Sequence, residues 1–248
     1  VVLALKKNGK LRVCVNYKAL NKVSKKDRYP LPFCEEILEE VTGHEMYTFG
    51  DGYRGYHQVK IVLEDLLKTT FTTLWGTFRY TVMPFGLCNA PGTFQRLMNK
   101  VFDPFLGLFL QVFIDDFGVY SDRASHLAKL ELVFQRLDSS GMTLSPKKTT
   151  ISFSKGKMVG HIVSKDGVVT NPEKLDRISK LPFPTTKKAL RGFLGMVGYY
   201  RKFIHMFATK ARPLTRFLRE DALALMEDKV FRRAFEQLKS ALQVAPIL

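Results

Sequence analysis

Negative charge is in short supply in this chain: 23 Asp and Glu face 39 Lys and Arg, for a formal charge of +16. A surface that basic draws polyanions, nucleic acid first and anionic membrane second. Cysteine is scarcer still. Cys14, Cys34 and Cys88 stand far apart, with no CxxC pair and no His partner at metal spacing. That excludes a zinc site and a disulfide framework, and it fits a reducing compartment. Long hydrophobic runs are also missing: the longest, Phe105 to Ile114, already contains Gly107 and Gln111 and is too short to span a bilayer. Neither a membrane partner nor a signal peptide is expected. Gly (17) and Pro (11) are too few among 248 residues for low complexity, so most of the chain should fold.

A hydrophobic content of 46% is ample for one large domain or two to three small ones. The positive charge is uneven: from Asn171 to Leu248 sixteen basic residues face seven acidic ones. The C-terminal third is thus the stronger candidate for gripping a phosphate backbone. The chain opens inside a strand-like run, Val1 to Leu5, without an initiator Met, which predicts a piece of a longer polyprotein.

Asn8-Gly9 between two apolar runs predicts a hairpin. A two-residue turn there would pair Lys7 with Lys10 and Leu5 with Arg12, setting these three cations on one face. A short helix is predicted from Glu35 to Val41, ended by Gly43, then short strands with a turn at Trp75-Gly76. From Pro91 the helical spacing returns in Phe94, Leu97, Met98, Val101 and Phe102. A further helix, Ser125 to Ser139, should turn Leu127, Leu130, Phe134 and Leu137 inward, with Gly141 as its C-terminal signal. Between these two helices Leu108 to Ile114 reads as a buried strand, Asp115-Asp116 as a carboxylate-bearing turn, and Phe117 to Tyr120 as a returning strand. After Gly167 the pattern is helical: Asn171-Pro172-Glu173 starts one helix, and Thr185 or Thr186 caps another through Ile204. Amphipathic stretches follow near 210–219 and 229–242, and a domain boundary is expected at 165–171.

Two adjacent aspartates at the tip of an apolar strand are costly to bury unless a cation compensates them. Magnesium suits an all-oxygen site that keeps room for phosphate. Asp-Asp alone reads more readily as a solvated turn. Asp51, after the strand-like Met46 to Phe49, would supply a third carboxylate from a different strand.

Six motifs in order give these features a family. They are Asp27-Arg28-Tyr29-Pro30-Leu31-Pro32; Asp51 with Gly55-Tyr56-His57-Gln58; Met83-Pro84-Phe85-Gly86-Leu87 with Asn89-Ala90-Pro91 and Thr93-Phe94-Gln95-Arg96; Phe113-Ile114-Asp115-Asp116; Gly160-His161; and Arg191, Phe193-Leu194-Gly195 with Tyr199-Tyr200-Arg201. Nearly end to end, the chain resembles the reverse transcriptase of gypsy-type long-terminal-repeat retrotransposons. The resemblance implies an α+β right-hand polymerase fold: an antiparallel-sheet palm, a fingers hairpin and a helical thumb. Fingers and palm would occupy 1–165, a basic thumb 166–220, and the start of a connection towards a missing RNase H domain 221–248.

It also implies RNA-directed DNA synthesis from a primer on an RNA or DNA template, with deoxynucleotides as substrates. Asp51, Asp115 and Asp116 would hold two Mg2+ ions, with Mn2+ as a substitute. Arg12 with Lys7, or Lys6 beside it, would fold over the triphosphate. Tyr56 would exclude a 2′-hydroxyl, Phe85 and Gly86 would line the nucleotide pocket, and Lys148 would sit near the incoming nucleotide. Met158, Val159, Gly160 and His161 would hold the primer end, while Arg191 and Arg201, with Lys202, would face the duplex. The implied location is intracellular, in a cytoplasmic retrotransposon particle with access to the nucleus.

The chain departs from the family pattern at Gly50, Gly52 and Gly118, where apolar residues are usual, and at Phe113, where tyrosine is. Glycine loosens a strand by roughly 0.5–1 kcal/mol. These positions predict a slack catalytic strand and keep open a decayed, merely nucleic-acid-binding copy. An RNA-directed RNA polymerase shares the chemistry, and Tyr56 stands against it.

Overall fold

The computed structural model describes residues 1–5, 9, 11–219, 229–244 and 247–248, with backbone alone for Val2, Ala4, Arg12 and Arg219. It divides into two compact units, Val1–Val159 and Gly160–Leu248.

The first unit opens with the hairpin of β1 (Val2–Leu5) and β2 (Leu11–Cys14). Its register places Leu5 opposite Leu11 and Ala4 opposite Arg12. This corrects the expected pairing of Leu5 with Arg12 by one residue. A five-residue interval replaces the even count that a two-residue turn needs, and Gly9 takes φ +74 within it. Lys6, Lys7 and Lys10 lie outside the described residues, as does the side chain of Arg12.

Next come α1 (Lys18–Val23), α2 (Cys34–Val41), β3 (Met46–Asp51), the hairpin β4 (Phe71–Thr73) and β5 (Gly76–Phe78), and α3 (Ala90–Phe102). They are followed by β6 (Leu110–Phe113), β7 (Asp116–Ser121), α4 (His126–Ser139), β8 (Thr150–Phe153) and β9 (Lys155–Met158). The main sheet has the order β6-β7-β3-β8, with every pairing antiparallel. Helices α2, α3 and α4 pack against it. Phe94, Met98, Val101 and Phe102 of α3 meet Leu110, Val112, Phe117 and Val119 of the sheet and Leu130, Val133 and Leu137 of α4. Each such side chain contributes about 1.5–3 kcal/mol when fully buried.

Two of the four residues expected inward on α4 are not: Leu127 is 73% exposed and Phe134 37%, whereas Val133 and His126 are buried. His126 is held at both ring nitrogens, Nε2 by Thr48 Oγ1 at 2.9 Å and Nδ1 by Ser121 Oγ at 2.7 Å. Burial holds its pKa below the usual value, assisted by Lys129 and opposed by Asp122. A polar tie from α4 to β3 and β7 thus takes a place where periodicity favoured Leu127.

The strand glycines are not slack. A Cβ on Gly50 would lie 2.2 Å from the Phe117 ring, and Phe117 is the residue paired with Gly50 across β3 and β7. The next pair reverses the roles: Phe49 faces Gly118, and its ring lies where Cβ atoms on Gly118 and Gly156 would stand, at 3.3 and 2.3 Å. Aromatic rings cover the strand where side chains are missing, a known rescue of glycine in sheets. The expected loosening is therefore corrected for Gly50 and Gly118.

The second unit holds the hairpin β10 (His161–Ser164) and β11 (Gly167–Thr170), then α5 (Pro172–Ser179), α6 (Lys187–Gly198), α7 (Phe207–Arg219) and α8 (Lys229–Gln243). Asn171 caps α5 by accepting from Glu173 N at 3.0 Å, and Thr186 caps α6 by accepting from Ala189 N at 3.1 Å. α6 stops at Gly198 rather than Ile204, and a short 3-10 turn, Arg201–Phe203, follows it. Leu190 and Phe193 of α6, Leu214 and Phe217 of α7, and Phe231, Phe235 and Leu238 of α8 form this unit's core.

Candidate active site

Strand periodicity and register bring the carboxylates together. Asp51 ends β3 and Asp116 begins β7, directly opposite it, so both side chains emerge on one face of the sheet. Gly50 and Phe117, one residue back on each strand, point to the other face, where the Phe117 ring meets Phe102. The turn between β6 and β7 is Ile114-Asp115, since Phe113 pairs with Asp116; this corrects the expected Asp115-Asp116 turn by one residue and places Asp116 on the strand. The Asp115 carbonyl accepts from Gly52 N at 3.2 Å, tying the turn to the end of β3.

The turn is strained. Ile114 has φ +57, a left-handed value that a β-branched residue seldom adopts. Its N–H donates to Gln95 Oε1 at 2.6 Å. In the sequence Gln95 stands out only as part of a motif. Its single signal was a polar residue at an inward position of a helix.

The carboxylates share a field. Burial first, then the charge of Asp51, raises the pKa of Asp115, opposed by its own backbone hydrogen bond and by Lys148. Asp116 is pushed up to about 6, by burial first and then by Asp115 and Asp51, with Lys148 and Lys157 opposing. Lys148 Nζ grips both oxygens of Asp51, at 2.9 and 2.7 Å, so of the adjacent Lys147 and Lys148 it is Lys148 that reaches the site.

The raised Asp116 pKa has a consequence for stability. With a folded value of about 6 against the ordinary aspartate value of 3.8, Asp116 favours the folded state below about pH 4 and loses that contribution as pH rises through 6. Asp116→Asn should therefore raise the stability of the metal-free protein at pH 7, by at most about 3 kcal/mol, and flatten its profile between pH 4 and 6. Urea melts at pH 4 and 7 check this. Equal gains at both values would show that charge is not the cause.

Around the carboxylates, Tyr56 is half-buried, its ring 5.1 Å from Phe85 and 5.5 Å from Phe94. Gly55 packs tightly, since a Cβ there would lie 3.3 Å from that of Asp115. Gln58 accepts from Thr143 N at 2.8 Å and donates to Thr143 O at 3.0 Å, and Ser145 N donates to Asp51 O at 2.9 Å. These bonds fasten the loop that carries Lys148.

Gly86 has φ +99, and its carbonyl accepts from Asn21 Nδ2 at 2.8 Å. Distant motifs also meet: Arg96 pairs with Asp27 at 2.7 Å and lies over the Tyr29 ring. Met158 is buried in the first unit, its Sδ against Gly118, and Val159 beside it has φ +44. In the second unit Gly160 has φ +73, and His161 is buried among the rings of Tyr199, Tyr200 and Phe203. Arg191 and Arg201 lie exposed in that unit.

The donor set tests the fit to a cation. Three carboxylates converge, two of them with raised pKa values, as expected where positive charge is short. Among the described residues no three acidic, His or Cys side chains close into a ligand cage, and an ammonium rests on Asp51. Hard oxygen donors of this charge fit a divalent ion such as Mg2+.

Comparison with known proteins gives the family and the fold. Residues 4–182 match the family described as reverse transcriptase (RNA-dependent DNA polymerase). The retrovirus-related Pol polyprotein from transposon 297 of Drosophila melanogaster is 38% identical over 97% of this chain and 23% of that protein. The corresponding polyprotein from transposon gypsy of the same species is 32% identical over 95% of the chain and 24% of its own length. This chain thus spans about a quarter of these relatives. Among solved structures, the foamy viral protease-reverse transcriptase dRH with double-stranded DNA superposes with TM-score 0.88 at 24% identity, over 99% of this chain and 44% of that one. The foamy viral enzyme with an RNA/DNA hybrid gives 0.86 at 23%, over 99% and 33%. The α+β polymerase fold is therefore shared, and the chain belongs to the reverse transcriptase family, alongside the Pol polyproteins of gypsy-type retrotransposons.

Proposed function

We propose that this chain is an RNA-directed DNA polymerase that extends a primer 3′-hydroxyl with deoxynucleotides by two-metal phosphoryl transfer. The observation that carries the proposal is the convergence of Asp51, Asp115 and Asp116 from two paired strands and the turn beside them. Asp51 and Asp115 would hold two Mg2+ ions, or Mn2+ in their place, and Asp116 would complete the carboxylate cluster. When bound, such ions activate the attacking hydroxyl and neutralise the departing pyrophosphate. The chain's own part is positioning and electrostatics.

Tyr56, wedged against Phe85 and Phe94, forms a stiff wall that would exclude a ribose 2′-hydroxyl. Phe85 and Gly86 would line the nucleotide pocket, with Arg12 and Lys7 over the triphosphate. Lys148, already on Asp51, would turn to the incoming nucleotide. Met158, Val159, Gly160 and His161 would hold the primer end. Arg191 and Arg201 would meet the duplex backbone, as the basic charge of this part supports. The division would be fingers and palm at 1–165, thumb at 166–220 and the start of a connection at 221–248, acting in a retrotransposon particle. The foamy viral relatives' structures with double-stranded DNA and with an RNA/DNA hybrid support a template–primer as the partner.

The test is extension of a primed polyribonucleotide with Mg2+ and one complementary deoxynucleotide. Incorporation that chelation abolishes is expected. Duplex binding without incorporation would leave a nucleic-acid-binding remnant, and equal use of ribonucleotides would point to RNA synthesis.

A further inference from the structure

We infer that Gln95 is a positioning residue that sets the direction of the aspartate turn. Gln95 lies on α3 and is 1% exposed, yet it reaches three backbone and side-chain groups. Its Oε1 accepts from Ile114 N at 2.6 Å, and its Nε2 donates to Val112 O at 3.2 Å and to Asn99 Oδ1 at 2.8 Å. Asn99 in turn donates to Tyr29 Oη at 2.8 Å. One amide thus clamps both the last stretch of β6 and the first residue of the turn.

The clamp falls where backbone strain is stored. Ile114 is held at φ +57, a conformation that persists only where its surroundings over-determine it. The N–H bonded by Gln95 belongs to that residue, and rotation of its peptide would swing Asp115, next in sequence, away from Asp51. Without an acceptor, that N–H would be left buried and unpaired, so the turn would relax towards another geometry. Gln95 touches neither substrate nor carboxylate and acts only through the turn.

This inference rests on the polymerase reading for its catalytic consequence, so the test carries a readout that is independent of turnover. Mn2+ affinity would be measured by paramagnetic resonance on the parent, Gln95→Leu, Gln95→Glu and Asn99→Ala, with melting temperature and extension kinetics alongside. Gln95→Leu removes the acceptor at similar size. It should weaken Mn2+ binding and lower kcat on the order of 10–100-fold, the range seen when residues behind metal ligands are lost, with little change in the nucleotide KM. Gln95→Glu keeps an oxygen for Ile114 N and should recover most of the affinity. Asn99→Ala removes an outer bond of the same network and should lower the melting temperature while sparing Mn2+ binding. Parent-like Mn2+ affinity in Gln95→Leu would overturn the inference, as would an equal loss in Asn99→Ala that tracks melting temperature. If the parent binds Mn2+ but extends no primer, the polymerase reading falls, and the affinities still judge Gln95.

Discussion

Asp115→Asn is expected to lower single-nucleotide primer extension on the order of 1,000-fold, about 4 kcal/mol of barrier, while leaving the metal-free protein at least as stable at pH 7. The two effects have one origin. Asp115 sits in a turn between two strands that are buried beyond it, and burial together with Asp51 raises its pKa. Folding without a cation therefore works against its charge. Asparagine keeps the shape, removes the charge and offers a neutral, weaker ligand. As pH falls towards 3.8, the ordinary aspartate value, the carboxyl becomes protonated in both states, so the stability difference between parent and variant should shrink. Single-turnover extension and melting with chelator, at pH 7 and at pH 4, would measure both. Lost extension with a lower melting temperature would assign the loss to misfolding rather than to chemistry.

Gly50→Val is expected to destabilise the first unit by about 3 kcal/mol or more, the upper end for overpacking. A Cβ at position 50 would stand 2.2 Å from the Phe117 ring, well inside contact distance, and the branched methyls of valine would add to the clash. The ring has nowhere to go: Phe117 is 1% exposed and packs on Phe102 at 5.1 Å between centroids. A shift of β3 to relieve the overlap would carry Asp51, the next residue. Phe117→Ala alone should cost about 3–5 kcal/mol through the cavity it leaves. The double variant should cost clearly less than the sum, because valine then fills part of that cavity. Denaturant melts of the four proteins test the pair, and strict additivity would show that the ring does not depend on the missing side chain.

These glycines show where a reading by residue type fails. In a strand, glycine alone signals looseness, since it brings conformational freedom and no side chain. Whether the vacancy is filled depends on the residue across the ladder, and Phe117 and Phe49 are found there only once β3 and β7 are paired in register. Leu127 and Phe134 fail for a related reason. Helical spacing marks a stripe but not its centre, and the Thr48–His126–Ser121 bonds rotate α4 so that Val133 lies at the middle.

The kind of protein this is can be read from the chain alone. The α+β order of elements, the cap at Asn171, a second cap at Thr185 or Thr186, the strand–turn–strand that carries the paired aspartates and the family membership all follow from local pattern and motif, because period, turn chemistry and capping act over a few residues. How distant residues meet comes from the folded arrangement. It put Asp116 opposite Asp51, chose Lys148 over Lys147, set Ala4 rather than Leu5 against Arg12, and brought Gln95 to the back of the turn. Those are matters of register and of packing between elements. A one-residue change there moves a side chain to the opposite face while leaving the local pattern intact.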